Sequence, residues 1–167
     1  MKAWGLIIGS HLKNWTYTLI ILVIVTLPNG LFAEPTKAHR QNALLSPGLN
    51  LNYYYEVASV KPPTRFELQQ IKEQGFRSVR IPINWMNHVD GKYIKPAFLN
   101  ALKKTVQDCF DMELRVIINV HHFKEMKQEP DLYEPFLAAL WRIIAHEFSG
   151  FDDRLLFELF NLSLIHI

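Results

Sequence analysis

Hydrophobic and polar positions follow two rhythms along this chain. Short, nearly continuous apolar runs alternate with longer stretches in which apolar residues recur every three or four positions. The runs are Ser78-Val-Arg-Ile-Pro-Ile83, Arg115-Val-Ile-Ile-Asn-Val-His-His122 and Leu155-Leu-Phe-Glu-Leu-Phe-Asn161. They predict strands over 79–83, 116–120 and 155–161, with a shorter first strand in Gly48-Leu-Asn-Leu-Asn52. Strands apolar almost throughout suit a parallel sheet covered on its outer face.

The stretches between the runs read as helices with local start and stop signals. After Pro62 and Pro63, Thr64 and Glu67 stand at capping-box spacing, and Leu68 and Ile71 share one face. Gly75 supplies the left-handed residue that closes this helix, and Phe76 can pack back on Ile71. Pro96 opens the next helix, where its missing N–H costs nothing. Leu99, Leu102, Val106, Cys109 and Phe110 form its apolar stripe. A third helix is predicted over about 133–148, with Phe136, Leu137, Leu140, Trp141, Ile144 and Phe148 on its buried side. Cys109 and Trp141 accordingly read as core residues. The order β-α-β-α-β-α-β implies right-handed crossovers and a parallel sheet.

The runs deliver polar side chains at regular intervals. Forty-one positions separate Arg80 from His121, and 40 separate His121 from Asn161. A repeated strand–helix unit would line these groups up at one edge of the sheet, where α/β enzymes carry their sites.

Composition adds constraints. The first 33 residues hold Lys2 and Lys13, no acid, the apolar run Leu19-Ile-Ile-Leu-Val-Ile-Val25, and Ala33 before Glu34. This is the order of a secretory signal, so residues 1–33 are expected to direct export to the periplasm or beyond the cell; an uncleaved membrane anchor is the alternative. Residues 34–47, polar and with Pro35 and Pro47, read as a linker. Without residues 1–33 the formal charge falls from +2 to zero, and no basic tract interleaved with aromatics suggests nucleic acid. Cys109 is the one cysteine, which excludes an intrachain disulfide and a cysteine-built zinc site.

Several side chains could carry chemistry. Arg80 lies inside an apolar strand and calls for a carboxylate partner, for which Glu158 is the candidate; a structural ion pair in the core is the plainer reading. His121 and His122 end a strand. Neighbours on a regular strand point to opposite faces, and no other His or carboxylate stands at obvious ligand spacing, so no metal site or other cofactor is expected. One histidine is expected to face the site and hydrogen-bond there. Trp85, just past the Arg80 strand, offers either a stacking face for a sugar ring or core packing.

These segments together resemble glycoside hydrolase family 5, the cellulase family of (β/α)8 barrels. Gly75-Phe-Arg-Ser-Val-Arg-Ile-Pro-Ile-Asn-Trp85 resembles the family's strand 2 segment, and Val116-Ile-Ile-Asn-Val-His-His122 its strand 3 motif. Leu156-Phe-Glu-Leu-Phe-Asn161 resembles the strand 4 run that continues Asn-Glu-Pro, and Phe136–Ala145 reads like the intervening helix. The likeness runs from about residue 48 to 161. It implies an α/β fold, a partial (β/α)8 barrel of about four strands and three helices, preceded by the signal segment.

The resemblance also implies roles. Arg80, His121 and Asn161 would be catalytic-site residues: Arg80 holding the nucleophile's carboxylate ionised, His121 hydrogen-bonding around the reacting sugar, Asn161 bonding its 2-hydroxyl. His122 and Trp85 would be substrate-binding. The partner would be a β-linked polysaccharide or oligosaccharide. The implied activity is that of a retaining endo-β-1,4-glucanase; a β-mannanase or xyloglucanase of the same family and a non-catalytic glycan-binding half-barrel are the alternatives.

Two departures stand out. Leu162 occupies the position of the family's general acid, and no strand 7 nucleophile follows. Residues 162–167 are therefore expected to be an aberrant tail, and the chain as written an inactive N-terminal half. Glu113 stands where the family often ends a helix with Gly.

Overall fold

The computed structural model describes residues 34–91 and 93–161. The proposed signal segment 1–33 and the tail 162–167 lie outside the described residues.

A four-stranded, wholly parallel sheet forms the centre, in the order β1 (Gly48–Asn50), β2 (Ser78–Ile81), then Arg115–Asn119 and Leu155–Glu158. Between β2 and the third of these lies a small antiparallel hairpin, β3 (Val89–Asp90) and β4 (Tyr93–Ile94). The sheet's last two strands are therefore β5 (Arg115–Asn119) and β6 (Leu155–Glu158). Arg80 lies opposite Asn50 on one side and Ile117 on the other, and Asn119 lies opposite Glu158.

A helix connects each pair of neighbouring strands, as a parallel sheet requires. The short helix α1 (Lys37–Ala43) precedes β1, inside the stretch expected to be a linker, and buries no residue. Residues from Gln41 onward form one compact unit, and the description below concerns that unit. Helix α2 (Arg65–Glu73) starts on the expected capping box: the Glu67 amide donates to Thr64 Oγ1, and the Thr64 amide donates to Glu67 Oε2 at 2.7 Å. It ends in a Schellman close, with the Phe76 amide donating to Ile71 O and the Gly75 amide to Lys72 O. Gly75 there takes φ +89°, which costs a residue without Cβ little.

Helix α3 (Pro96–Asp111) buries Leu99, Leu102, Val106, Cys109 and Phe110, the stripe read from the sequence. Burial pushes the Cys109 thiol up to about 12, so it is a core residue. After β5 come a short helix, α4 (Lys124–Gln128), and α5 (Pro130–Glu147). Helix α5 starts earlier than expected, because Pro130 takes its first position. Of its expected core face, Leu140 and Ile144 are buried along with Phe148 just beyond, whereas Phe136 is 37% exposed and Trp141 half-buried.

The main core lies between sheet and helices, where Val79, Ile81, Val116, Ile118 and Leu155 of the strands meet Leu68, Leu102, Val106 and Ile144. The same alternation sends Asn50, Arg80, Ile117, Asn119 and Glu158 to the other face. Among the described residues no helix is long and apolar enough to cross a membrane.

Candidate active site

The polar groups of the inner face gather at the C-terminal ends of the strands. Arg80 donates from Nε to Glu158 Oε2 at 2.6 Å and from a terminal nitrogen to Glu158 Oε1 at 2.7 Å. Its other terminal nitrogen is 3.3 Å from Asn50 Oδ1. Two parallel bonds between a planar guanidinium and a carboxylate fix both groups in orientation as well as charge. Arg80 thus holds the Glu158 carboxyl below the ordinary carboxylate range against the opposing effect of burial. The paired carboxylate raises the guanidinium in turn.

Backbone bonds carry the strand ends onward past the regular ladder. The His121 amide donates to Ile83 O and the Asn161 amide to Val120 O, both at 2.9 Å. Asn161 Oδ1 is thereby set 3.5 Å from an Arg80 nitrogen, and Asn161 Nδ2 3.4 Å from His121 Nε2. Arg80, His121 and Asn161, set about 40 positions apart in the sequence, are brought together here. The 40-residue rhythm carries them there because each parallel crossover returns the chain to the same edge.

His121 and His122 depart from the alternating geometry expected of them. Both lie beyond β5, where the backbone is no longer regular strand, and their rings meet edge to face at 4.6 Å. Both face one carboxylate, that of Glu56: His122 Nε2 is 2.9 Å from Oε1 and His121 Nε2 3.6 Å from the same oxygen. The other oxygen, Oε2, accepts from the Tyr53 amide at 2.6 Å. Burial works to raise the Glu56 carboxyl, but the Tyr53 amide and the two histidines outweigh it and leave the pKa below its ordinary value. For His121, burial disfavours the charged ring and lowers its pKa from 6.5, with the neighbouring His122 adding to that. Asn119 Nδ2 lies 3.4 Å from His121 Nδ1 and 3.3 Å from Glu158 Oε1.

Glu56, Asn119 and Tyr53 escaped the sequence reading. Glu56 is the single acid between Glu34 and Glu67 and follows the first strand, at the edge where the site was expected. Asn119 is a polar residue inside the apolar run of β5. With Asn52 and Val57, the Tyr53, Glu56, His121 and His122 side chains line an open cleft of about 490 Å³. A second hollow of about 430 Å³, between the β3–β4 hairpin and α5, is almost wholly apolar and holds none of these groups.

Trp85 does not line the cleft. It is fully buried, its Nε1 donates to Asn119 O at 2.8 Å, and its ring meets Phe98 edge-on at 5.5 Å. The short 3-10 turn Trp85–Asn87 directs the indole under the strand ends, leaving no face for a sugar. It is a core residue that supports β5 at Asn119.

The sequence profile of cellulases, glycosyl hydrolase family 5, matches residues 38–161, most of the chain and all of the sheet. The chain belongs to that family. The match starts ten residues before β1 and so takes in most of the stretch first read as a linker. Endoglucanase B of Paenibacillus lautus is 28% identical over 161 residues, an alignment covering 86% of this chain and 28% of that protein. Endoglucanase B of Ruminococcus albus is 36% identical over 104 residues, covering 58% of this chain and 25% of that protein. The chain thus spans about a quarter of the length of these curated relatives. Among solved structures, a hyperthermophilic endo-β-1,4-glucanase in complex with substrate superposes with TM-score 0.69 at 37% identity, over 73% of this chain and 42% of its own. Thermotoga maritima Cel5A in complex with mannotriose gives TM-score 0.69 at 28% identity, with the same coverages. Such neighbours identify the four-stranded sheet as part of a (β/α)8 barrel.

Proposed function

We propose that the whole protein to which these residues belong is a retaining endo-β-1,4-glucanase. The observation that carries this reading is the meeting of Arg80, His121 and Asn161 at one edge of a parallel sheet. The endoglucanases among the relatives, and the neighbour described in complex with substrate, support it.

Retaining hydrolysis uses two carboxyl groups about 5–5.5 Å apart. One attacks the anomeric carbon while the other, protonated, gives its proton to the leaving oxygen. Water then releases the bound sugar, and the second group takes back a proton. In this reading Asn161 bonds the 2-hydroxyl of the reacting sugar, His121 and His122 bond neighbouring hydroxyls, and the Arg80 cation keeps nearby carboxylates ionised. Within the described residues Arg80 does this for Glu158, which is committed to the pair and is not offered as nucleophile. Leu162 stands at the position of the family's acid, so this sequence as written is proposed to bind glycan without cleaving it. The 1–33 pattern supports export to where such polymers are met.

Mannan is the second substrate reading, favoured by one observation: the Thermotoga maritima Cel5A neighbour is described in complex with mannotriose as well as with cellobiose.

The test is a chimera joining residues 38–161 to the rest of the Ruminococcus albus barrel, which supplies both carboxylates. It should release reducing ends from carboxymethyl cellulose with retention of anomeric configuration, and Asn161→Ala should lower kcat more than KM. A folded chimera without turnover, or one that inverts, refutes the proposal.

A further inference from the structure

Glu56, His121 and His122 each bring one ligand atom to a common point, all within 4.8 Å of one another. Glu56 Oε1 stands 2.9 Å from His122 Nε2 and 3.6 Å from His121 Nε2. Nitrogen and oxygen ligands lie about 2.0–2.2 Å from a zinc ion, which places neighbouring ligands roughly 3–3.5 Å apart in a tetrahedral site. The two Glu56 distances bracket that spacing, and all three ligand atoms lie within 4.8 Å of one another.

Two further features suit an ion. The Tyr53 amide holds Glu56 Oε2, which leaves Oε1 turned to both imidazoles. The cleft is open and His122 is half exposed, so an ion can enter and keep water as its remaining ligand.

We propose that Glu56, His121 and His122 form a binding site for a divalent transition-metal ion of the zinc class, and that the bound ion blocks the cleft to glycan. One carboxylate with two imidazoles is a mixed O/N donor set that suits Zn²⁺, Cu²⁺ or Ni²⁺ and not Mg²⁺ or Ca²⁺, which prefer oxygen alone. The blocking clause rests on the glycan-cleft reading above; the binding clause stands without it.

Titration calorimetry of the full chain with zinc sulfate tests the binding clause. One equivalent should bind, His122→Ala and Glu56→Gln should each weaken it by at least about tenfold, His146→Ala should leave it unchanged, and magnesium should give no binding heat. Zinc affinity unchanged in His122→Ala and Glu56→Gln, or equal binding of magnesium, overturns the site. Should a variant unfold, the visible absorption of Co²⁺ bound to the unaltered chain decides: an intense low-coordinate spectrum supports the site, and the weak aqueous spectrum overturns it. Cellotetraose binding with and without zinc then tests the blocking clause. Loss of sugar binding with zinc supports it, and undiminished binding overturns it. No cellotetraose binding in either condition counts against the glycan reading and removes the blocking clause, while the zinc titration still judges the site.

Discussion

Arg80 and Glu158 meet side-on across the inner face of the sheet, with 2.6 and 2.7 Å bonds joining the two planar groups. They lie on β2 and β6, with β5 between them. The pair is partly buried, its side chains 20% and 35% exposed, so solvent screens some of the attraction. Removing Arg80 leaves the partly buried Glu158 carboxylate without its cation, with the Asn119 amide still 3.3 Å away. Arg80→Met should destabilise the fold by about 1–3 kcal/mol, below the range for fully buried pairs. Arg80→Met with Glu158→Leu should recover part of that loss. Urea unfolding of the two singles and the double measures the coupling, and strictly additive losses would contradict the pairing.

Acid should weaken the fold in a defined order. Burial lowers the folded-state pKa of His88 from 6.5, so the unfolded chain binds the extra proton first and stability falls as pH drops through 6.5 toward the folded value. Glu158 lies below its ordinary 4.5, so its contribution is complete above about that pH and is lost as pH falls through its lower folded value. Both effects have the same sign. Melting temperatures at a series of pH values from 7.5 to about 4 should decline throughout, and a rise between pH 7 and 5 would contradict this.

Trp85→Phe removes the indole donor from Asn119 O while keeping most of the buried ring. The orphaned carbonyl should cost about 1–3 kcal/mol of stability. Since Trp85 is buried, cello-oligosaccharide affinity of the folded variant should stay within about twofold, whereas a stacking platform would lose 1 kcal/mol or more, about fivefold. Calorimetric titration of the variant distinguishes the two.

Glu113 adopts φ +56° at the end of α3, a conformation that strains a residue with a Cβ. Its side chain is 86% exposed and its contact to Lys72 Nζ is 3.5 Å, so little is lost with it. Glu113→Gly should raise stability by about 1 kcal/mol, read as a shift of the denaturant midpoint at constant slope.

Gly48 opens β1 against Ser78. A Cβ there would sit 2.6 Å from Ser78 Oγ, which donates to Leu45 O at 2.6 Å and has little room to yield. Gly48→Ala should cost about 1–3 kcal/mol, and Gly48→Ala with Ser78→Ala should cost less than Gly48→Ala alone, as thermal unfolding will show.

The sequence by itself determined the elements and their order. Periodicity, the Thr64–Glu67 capping box, Gly75 and Pro96 act within a few residues of chain, so α2, α3 and the strand–helix rhythm are written locally. That rhythm also brought Arg80, His121 and Asn161 to one sheet edge, because parallel crossovers repeat. The tertiary structure decided what those groups touch. Glu56 reaches His122 across 66 positions, a distance over which no local pattern carries information, whereas the Arg80–Glu158 pair, 78 positions apart, joins the guanidinium to the mid-strand carboxylate that the sequence had offered as its candidate. It also turned His121 and His122 toward one carboxylate, since the strand had ended at Asn119 and alternation no longer applied. And it buried Trp85, because a 3-10 turn after β2 sends the indole beneath Asn119 instead of into the cleft.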